Sequence, residues 1–180
     1  MCRFHPRLHR PSSWALPLTL ALLGGGCALQ SGSPGTGVLL ELAQPVRIPP
    51  NSAHANFQGG RQVAAANRLS PYCELEIKTV SEQSQEAQAG RYRITGGRYT
   101  LLKDPTTRVP ALFAGLSCSD PLYQESLWFL APGSTGNLHS MRCIRPFFFC
   151  RFAPPMMIDE APSVVGPAIS LRPPEGGAAR

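Results

Sequence analysis

Charged side chains are scarce in this chain. They make up 16% of its 180 residues, compared with about 25% in an average soluble protein. Such dilute charge argues against a coiled coil and against a wholly disordered polyelectrolyte. Lysine is the rarest charged residue: only Lys78 and Lys103 are lysines among the 17 basic residues. Glycine and proline are abundant instead, with 17 and 19 residues, and this abundance argues against an ordinary helical bundle and a multi-span membrane protein.

Established catalytic motifs are missing as well. The chain contains no Gly-x-Ser-x-Gly, no His-Glu-x-x-His, no Walker loop and no Gly-x-Gly-x-x-Gly, each of which would indicate a known chemistry. Ser140 follows His139 directly, but neighbours on a strand point to opposite faces and do not act together as nucleophile and base. We therefore favour a protein without catalytic activity over an enzyme, and we expect no cofactor.

The first 26 residues have the three parts of an export signal. Arg3, Arg7 and Arg10 form a basic head, and Trp14 to Leu23 form a short apolar segment that ends in three glycines. A membrane span needs about 20 apolar residues, whereas this segment is about half as long and is interrupted by Pro17. Residues 1–26 are therefore predicted to be a signal peptide.

Cys27 follows the glycines in a setting that resembles a bacterial lipobox, in which the cysteine thiol carries a diacylglycerol. Gly25 and Gly26 fit that pattern, while Gly24 stands where the lipobox usually has leucine. The resemblance implies lipid attachment at Cys27 and, because Ala28 follows, an outer-membrane location on the periplasmic face. The alternative is simple cleavage near Ala28, which would leave a soluble periplasmic protein. Residues 27–37 are small and flexible in composition and are predicted to be a tether.

Removal of the leader changes the charge balance. The leader holds three of the 17 basic residues and none of the 11 acidic ones, so the net charge falls from +6 to +3. No run of Lys or Arg remains, and we therefore expect no nucleic-acid partner. The expected partners are the membrane, through the N-terminal lipid, and other proteins of the cell envelope.

Short strand patterns fill residues 38–152 and predict a mostly β domain, a small antiparallel sandwich or barrel. The clearest strand is Tyr72 to Val80, where Cys73, Leu75 and Ile77 alternate with polar residues. This period places one face in a core and Glu74 and Glu76 in water. Residues 81–90 are predicted to be a loop or at most one or two helical turns, and residues 153–180, rich in proline and glycine, a disordered tail.

Glycine pairs mark two predicted hairpins. Gly59 and Gly60 separate residues 53–57 from residues 61–66, and Gly96 and Gly97 separate residues 91–95 from residues 98–102. Glycine adopts the positive φ that a two-residue hairpin turn requires. Each pair is therefore predicted to reverse the chain.

Four cysteines remain after the leader and Cys27, namely Cys73, Cys118, Cys143 and Cys150. An even number in an exported protein indicates disulfides, and four cysteines allow three pairings. Cys73 and Cys143 lie on the inward faces of two predicted strands, which favours a bond between them. Cys118 and Cys150 either pair or stay free. A zinc site normally contains a close pair such as Cys-x-x-Cys, so we expect no metal.

Catalytic side chains are few. His54 and His139 are the only histidines outside the leader. Glu74 and Glu76 share a strand face at about 7 Å, inside the carboxyl separation of an inverting glycosidase, although paired acids on a strand surface are usually only solvated. Tyr92, Tyr99, Trp128 and residues 147–149 are candidates for a binding face, but such aromatics more often belong to a core.

One segment carries a family resemblance. Residues 46–60, with Ile-Pro-Pro at 48–50 and Phe-Gln-Gly at 57–59, and residues 71–77, Pro-Tyr-Cys-Glu-Leu-Glu-Ile, resemble uncharacterised proteobacterial lipoproteins. In those proteins such a segment precedes a cysteine-containing strand and a second cysteine lies downstream. The resemblance covers residues 38–103 and implies an envelope location and a Cys73–Cys143 bond, but no activity.

Three functions are compatible with these features. The first is a lipid-anchored envelope protein that acts as a binding or structural module. The second is an envelope hydrolase that acts on glycan or peptide through Glu74 and Glu76 or a histidine. The third is a carrier of a small ligand or metal. A hydrolase requires a cleft that contains these residues, and a binding module requires an exposed apolar patch.

Overall fold

The computed structural model describes residues 33–111, 120–131, 136–149, 151 and 153–173. Within them the chain is mostly β, as predicted, and its antiparallel strands form a curved half-barrel sheet. The strands are β1 Leu39–Leu42, β2 Val46–Ile48, β3 Ser52–Gln58, β4 Arg61–Val63, β5 Tyr72–Ser81, β6 Gln85–Ala87, β7 Gly90–Asp104, β8 Val109–Pro110, β9 Leu122–Leu130, β10 Leu138–Phe147 and β11 Ile169–Arg172. One short helix, α1 Pro162–Val165, precedes a 3₁₀ turn at Gly166–Ala168. No helix in the described part of the chain is long and apolar enough to cross a membrane.

Nine strands form one sheet in the order β11-β1-β7-β9-β10-β5-β3-β4, with β8 paired to β7, while β2 and β6 form a separate two-stranded sheet. One face of the main sheet carries the principal core. Leu40, Leu75, Trp128 and Met141 are fully buried there. Because strand residues alternate between faces, the neighbours of these core residues project from the opposite face, where the polar residues described below lie.

The predicted hairpin at Gly59 and Gly60 is confirmed. β3 and β4 pair in register, with Gln58 opposite Arg61. Both glycines have positive φ, 60° and 81°, as a two-residue turn with the twist of the flanking strands requires.

The predicted hairpin at Gly96 and Gly97 is wrong, because β7 runs unbroken through both residues and pairs with β9. Close packing is the reason for glycine here. A Cβ on Gly97 would lie 2.8 Å from the carbonyl oxygen of Leu127 and 2.9 Å from the Trp128 ring. Gly97 therefore allows close approach to β9, and neither glycine turns the chain.

Two segments predicted to lack structure are ordered. In the predicted loop at residues 81–90, β6 pairs with β2. In the predicted tether, the Ser33 hydroxyl donates to the carbonyl oxygen of Gly97 at 3.0 Å and accepts from its N–H at 2.8 Å. These bonds hold residue 33 against β7. The predicted signal peptide, Cys27 and residues 27–32 lie outside the described residues.

The predicted disordered tail is corrected for residues 153–173. Its β11 pairs with β1, with Leu42 opposite Ile169. Met156, Val165 and Ile169 are each at most 1% exposed in the principal core. The segment is ordered because it contributes core side chains and covers the edge of the sheet near β4, where the Gly60 N–H donates to the carbonyl oxygen of Val164 at 3.0 Å. Residues 174–180 lie outside the described residues.

Candidate functional site

The face of the sheet opposite the principal core carries two polar rows across β3, β5 and β10. The rows arise because these strands pair antiparallel and in register. Directly opposed residues on one face lie close enough to interact. The rows are His54–Glu76–Ser140 and Asn56–Glu74–Arg142. We call this surface the polar face.

The centre of the polar face is a buried ion pair. The Arg142 guanidinium donates to one carboxylate oxygen of Glu74 through both Nε, at 3.0 Å, and Nη2. Its Nη1 donates to the carbonyl oxygen of Pro105 at 3.3 Å and lies 3.5 Å from Glu125 Oε1. The three charged side chains are each at most 8% exposed. Buried charges persist only with such partners, because removal from water is costly.

The pKa of Arg142 shows the balance of these effects. Burial alone would lower its pKa, but the charge and hydrogen bonds of Glu74 outweigh burial, with help from Glu76 and Glu125, and the pKa is raised overall. Arg142 is therefore a permanent cation. One cation faces the two buried carboxylates of Glu74 and Glu125, which leaves this cluster with a negative formal charge.

The second row is held in a similar way. The Glu76 carboxylate accepts from the Ser140 hydroxyl at 2.5 Å on one oxygen and from Arg108 on the other. Ser140 is 1% exposed. Its hydroxyl donates to Glu76 and is covered from solvent, so it lacks the access that a nucleophile needs.

A cleft of about 240 Å³ opens over these rows. The loop after β4 forms one wall, and the turn between β7 and β8 forms another. Its lining residues are His54 and Asn56 from β3, Ala64, Ala65, Ala66 and Arg68 from the loop, Tyr72 and Glu74 from β5, Pro105 and Thr106 from the turn, and Arg142 from β10.

Arg68 is the accessible cation of the cleft. Its side chain is 54% exposed, and its nearest acid, Asp104, lies 3.9 Å away. Asp104 is engaged elsewhere, because it accepts from the Thr106 N–H at 2.8 Å and from the Thr107 hydroxyl at 3.0 Å. These bonds, with a smaller effect of Arg68, lower the pKa of Asp104. An exposed pair at this distance contributes little and leaves the guanidinium free to bind.

Tyr72 supplies a neutral donor. It is 3% exposed, and burial, reinforced by the charge of Glu74, raises its pKa to about 12. The phenol is therefore protonated at neutral pH. Among the described residues, neither the Tyr72 hydroxyl nor the His54 imidazole has a hydrogen-bond partner.

The candidate residues from the sequence fall into three groups. Cys73 and Cys143 form a disulfide across β5 and β10, as predicted. His54, Glu74 and Glu76 come together on the polar face, but the prediction that both acids lie in water is wrong. The side chain of Glu74 is 8% exposed and that of Glu76 is 12% exposed, because arginines cover them. His139 is exposed and does not line the cleft.

The aromatic candidates belong mainly to the interior. Tyr92, Trp128 and Phe147 are at most 4% exposed, whereas Tyr99 is 37% and Phe149 is 74% exposed. Cys118 and Cys150 lie outside the described residues. Within the described ranges, no three His, Cys, Asp or Glu side chains are grouped as metal ligands.

Sequence reasoning missed Arg68, Tyr72 and Arg142. A signal existed only for Arg142, which stands between Met141 and Cys143 in a strand of buried residues. A charge in such a strand indicates a buried partner. Arg68 and Tyr72 gave no signal, because their roles depend on the loop after β4.

No family model, curated protein or solved structure matches this chain at a significant level.

Proposed function

We propose that this chain is an exported, lipid-anchored binding domain of the bacterial cell envelope that holds a small polar molecule in the cleft. The observation that carries the proposal is the cleft itself. Its floor is a rigid, ion-paired strand platform, and its walls present polar groups that the protein does not use internally. Binding sites commonly combine a formed cavity with a few convergent polar groups.

The size of the cleft limits the ligand. A volume of about 240 Å³ lies below the range of about 300–1,000 Å³ that drug-sized molecules occupy. It equals about eight water molecules at about 30 Å³ each. A single sugar or an amino acid has the appropriate size, and a polymer would enter only by one terminal unit.

Export has separate support. The disulfide between Cys73 and Cys143 is completely buried, and structural disulfides are typical of oxidising compartments such as the periplasm. The basic and apolar leader agrees with that location. Lipid attachment at Cys27 would place the domain on the periplasmic face of the outer membrane, whereas cleavage near Ala28 would release it into the periplasm.

A hydrolase has less support. His54 and Glu74 do line the cleft, but the Glu74 carboxylate is bound by Arg142 and the Glu76 carboxylate by Arg108 and Ser140. A catalytic carboxylate must reach the proton that it transfers, and the hydrogen bonds of these two carboxylates are made to the protein's own side chains. A protein-docking module also has less support, since it would need exposed aromatic side chains and most of the candidate aromatics are buried.

Intact mass of the protein purified from bacterial membranes tests export and anchoring. We expect loss of residues 1–26 and added mass from acyl chains on Cys27, and Cys27→Ser should abolish both. A mature mass without acyl chains would leave export but end the anchor. An unprocessed chain would contradict export.

Ligand binding is tested with the soluble domain that begins at residue 28, screened by thermal shift against neutral and acidic sugars, polyols and amino acids. Hits are then mapped by amide chemical shifts. We expect perturbations at His54 and Thr106, and loss of binding in Ala65→Trp, which fills the cleft. The matched control is Ala43→Trp, at an exposed position outside the cleft. Absence of any ligand in the cleft would contradict the binding function.

A further inference from the structure

The cleft has an unequal supply of hydrogen-bonding groups. Glu74, the one carboxylate among the described residues that line it, is already paired with the Arg142 guanidinium.

Three groups that can donate, in contrast, are not bound internally. The Arg68 guanidinium is 54% exposed and 3.9 Å from Asp104. The Tyr72 hydroxyl and the His54 imidazole line the cleft without hydrogen-bond partners among the described residues. A molecule complementary to this lining is an acceptor.

Resting on the binding function proposed above, we infer that the ligand is a small carboxylate, such as a sugar acid, whose carboxylate binds Arg68 while its other oxygens accept from Tyr72 and His54. A guanidinium presents parallel N–H groups that match the two oxygens of a carboxylate. The sugar ring would lie over Ala64–Ala66.

The buried charges distinguish a carboxylate from a phosphate. Glu74 and Glu125 together face one arginine, so the cluster beneath the cleft contains one more acidic group than basic groups. A phosphate monoester carries a charge of about −1.5 to −2 at neutral pH and is repelled more strongly than a carboxylate of charge −1. A single accessible cation, Arg68, neutralises one negative charge.

The test uses acid and neutral partners of nearly identical shape. Galacturonate, glucuronate and gluconate are compared with galactose, glucose and glucitol by calorimetric titration of the domain from residue 28, and inorganic phosphate is a separate probe. We expect at least one acid to bind about tenfold or more tightly than its neutral partner, a difference of about 1.4 kcal/mol. Phosphate should bind more weakly than that acid.

Variants assign the preference to residues. Arg68→Gln should remove the acid preference, whereas Tyr72→Phe should weaken acid and neutral partners alike. The matched control is Arg61→Gln, an exposed arginine on β4 that does not line the cleft, and it should retain the preference.

The outcomes separate the two proposals. Equal binding of acid and neutral partners, or an acid preference that survives Arg68→Gln, would overturn the carboxylate inference and leave the binding function standing. Tighter binding of phosphate than of any acid would overturn it as well. No binding by any probe, including the wider library, would overturn both.

Discussion

Arg142 on β10 lies directly opposite Glu74 on β5, and the two side chains form an ion pair that is nearly inaccessible to water. The same two strands carry the disulfide one residue away, on the other face of the sheet. An ion pair on one face of the sheet and a disulfide on the other therefore hold β5 against β10. This fixed pair is the floor of the cleft.

Breaking the ion pair should be strongly destabilising. Arg142→Met leaves Glu74 and Glu125 buried without a cation, and loss of one partner of a buried pair typically costs about 3–5 kcal/mol. We expect the free energy of unfolding, measured by urea denaturation, to fall by that amount. Arg91→Met is the control, because Arg91 is 60% exposed and 3.7 Å from Glu41, and its loss should cost at most about 1 kcal/mol.

The double variant Glu74→Met/Arg142→Met provides the stricter measurement. It removes both charges, so it should be less destabilised than the sum of the two single variants. Additive effects would mean that Glu74 and Arg142 do not stabilise each other.

The disulfide should stabilise the fold by an amount comparable to that of the ion pair. It joins residues separated by 70 positions, and closure of a loop of that length stabilises by about 4 kcal/mol in the chain-entropy model. We expect Cys73→Ala/Cys143→Ala to lower the free energy of unfolding by about this amount, and a reductant to lower that of the wild type similarly. Cys118→Ala/Cys150→Ala is the control and should keep the response to reductant. If reductant left the free energy of unfolding of the wild type unchanged, the disulfide would not make this contribution.

The ordered C-terminal segment can be tested at a glycine crossing. Gly166 has a φ of 71°, and a Cβ there would lie 1.9 Å from the carbonyl oxygen of Gly60, whereas a Cβ on Gly59, with a φ of 60°, meets nothing within 4 Å. Gly59→Ala bears left-handed strain of about 1–2 kcal/mol. Gly166 has a ψ of −164°, a backbone region nearly restricted to glycine in which strain is about 1–3 kcal/mol, and Gly166→Ala must also displace backbone.

We expect Gly166→Ala to cost about 3 kcal/mol or more in urea denaturation, since overpacking adds about 1–3 kcal/mol to the strain. Gly59→Ala should cost only the strain. Amide hydrogen exchange should show weaker protection at β11 and β1 in Gly166→Ala alone. Equal costs for the two variants would argue against the docked segment.

Local patterns predicted those parts of the fold that depend on neighbouring residues. The alternation at Tyr72 to Val80 identified the core face of β5, and the inward positions of Cys73 and Cys143 identified the disulfide. The glycine pair at residues 59–60 forms the hairpin turn that the sequence predicts. The pair at residues 96–97 does not, because its role is set by Leu127 and Trp128 on another strand.

The cleft depended on contacts that no local pattern records. The burial of Glu74 results from Arg142, which lies 68 residues away. The order of residues 153–173 results from a place for Val165 and Ile169 in a core built by distant strands. In both cases tertiary packing overrode composition, since proline and glycine content predicted disorder and a strand-surface acid predicted exposure.

The phenol of Tyr72 should make stability fall at high pH. In the unfolded chain it ionises near its ordinary pKa of 10, whereas in the folded chain the pKa is about 12. The unfolded state therefore loses its proton first as pH rises, so the stabilising contribution, complete below pH 10, is lost between pH 10 and 12. Two pH units correspond to at most about 3 kcal/mol.

Tyr72→Phe isolates this effect, because Phe keeps the ring and removes the ionisable hydroxyl. Burial also raises the pKa of Tyr92, Tyr99 and Tyr123, so the wild type and the variant should both lose stability at high pH. The wild type should lose more, and the difference should grow from about pH 10 upward. Urea denaturation at a series of pH values from about 9 to about 11.5 measures it. Parallel pH profiles would mean that the Tyr72 phenol ionises as readily in the folded chain as in the unfolded one, and that it is not the protonated donor that the cleft requires.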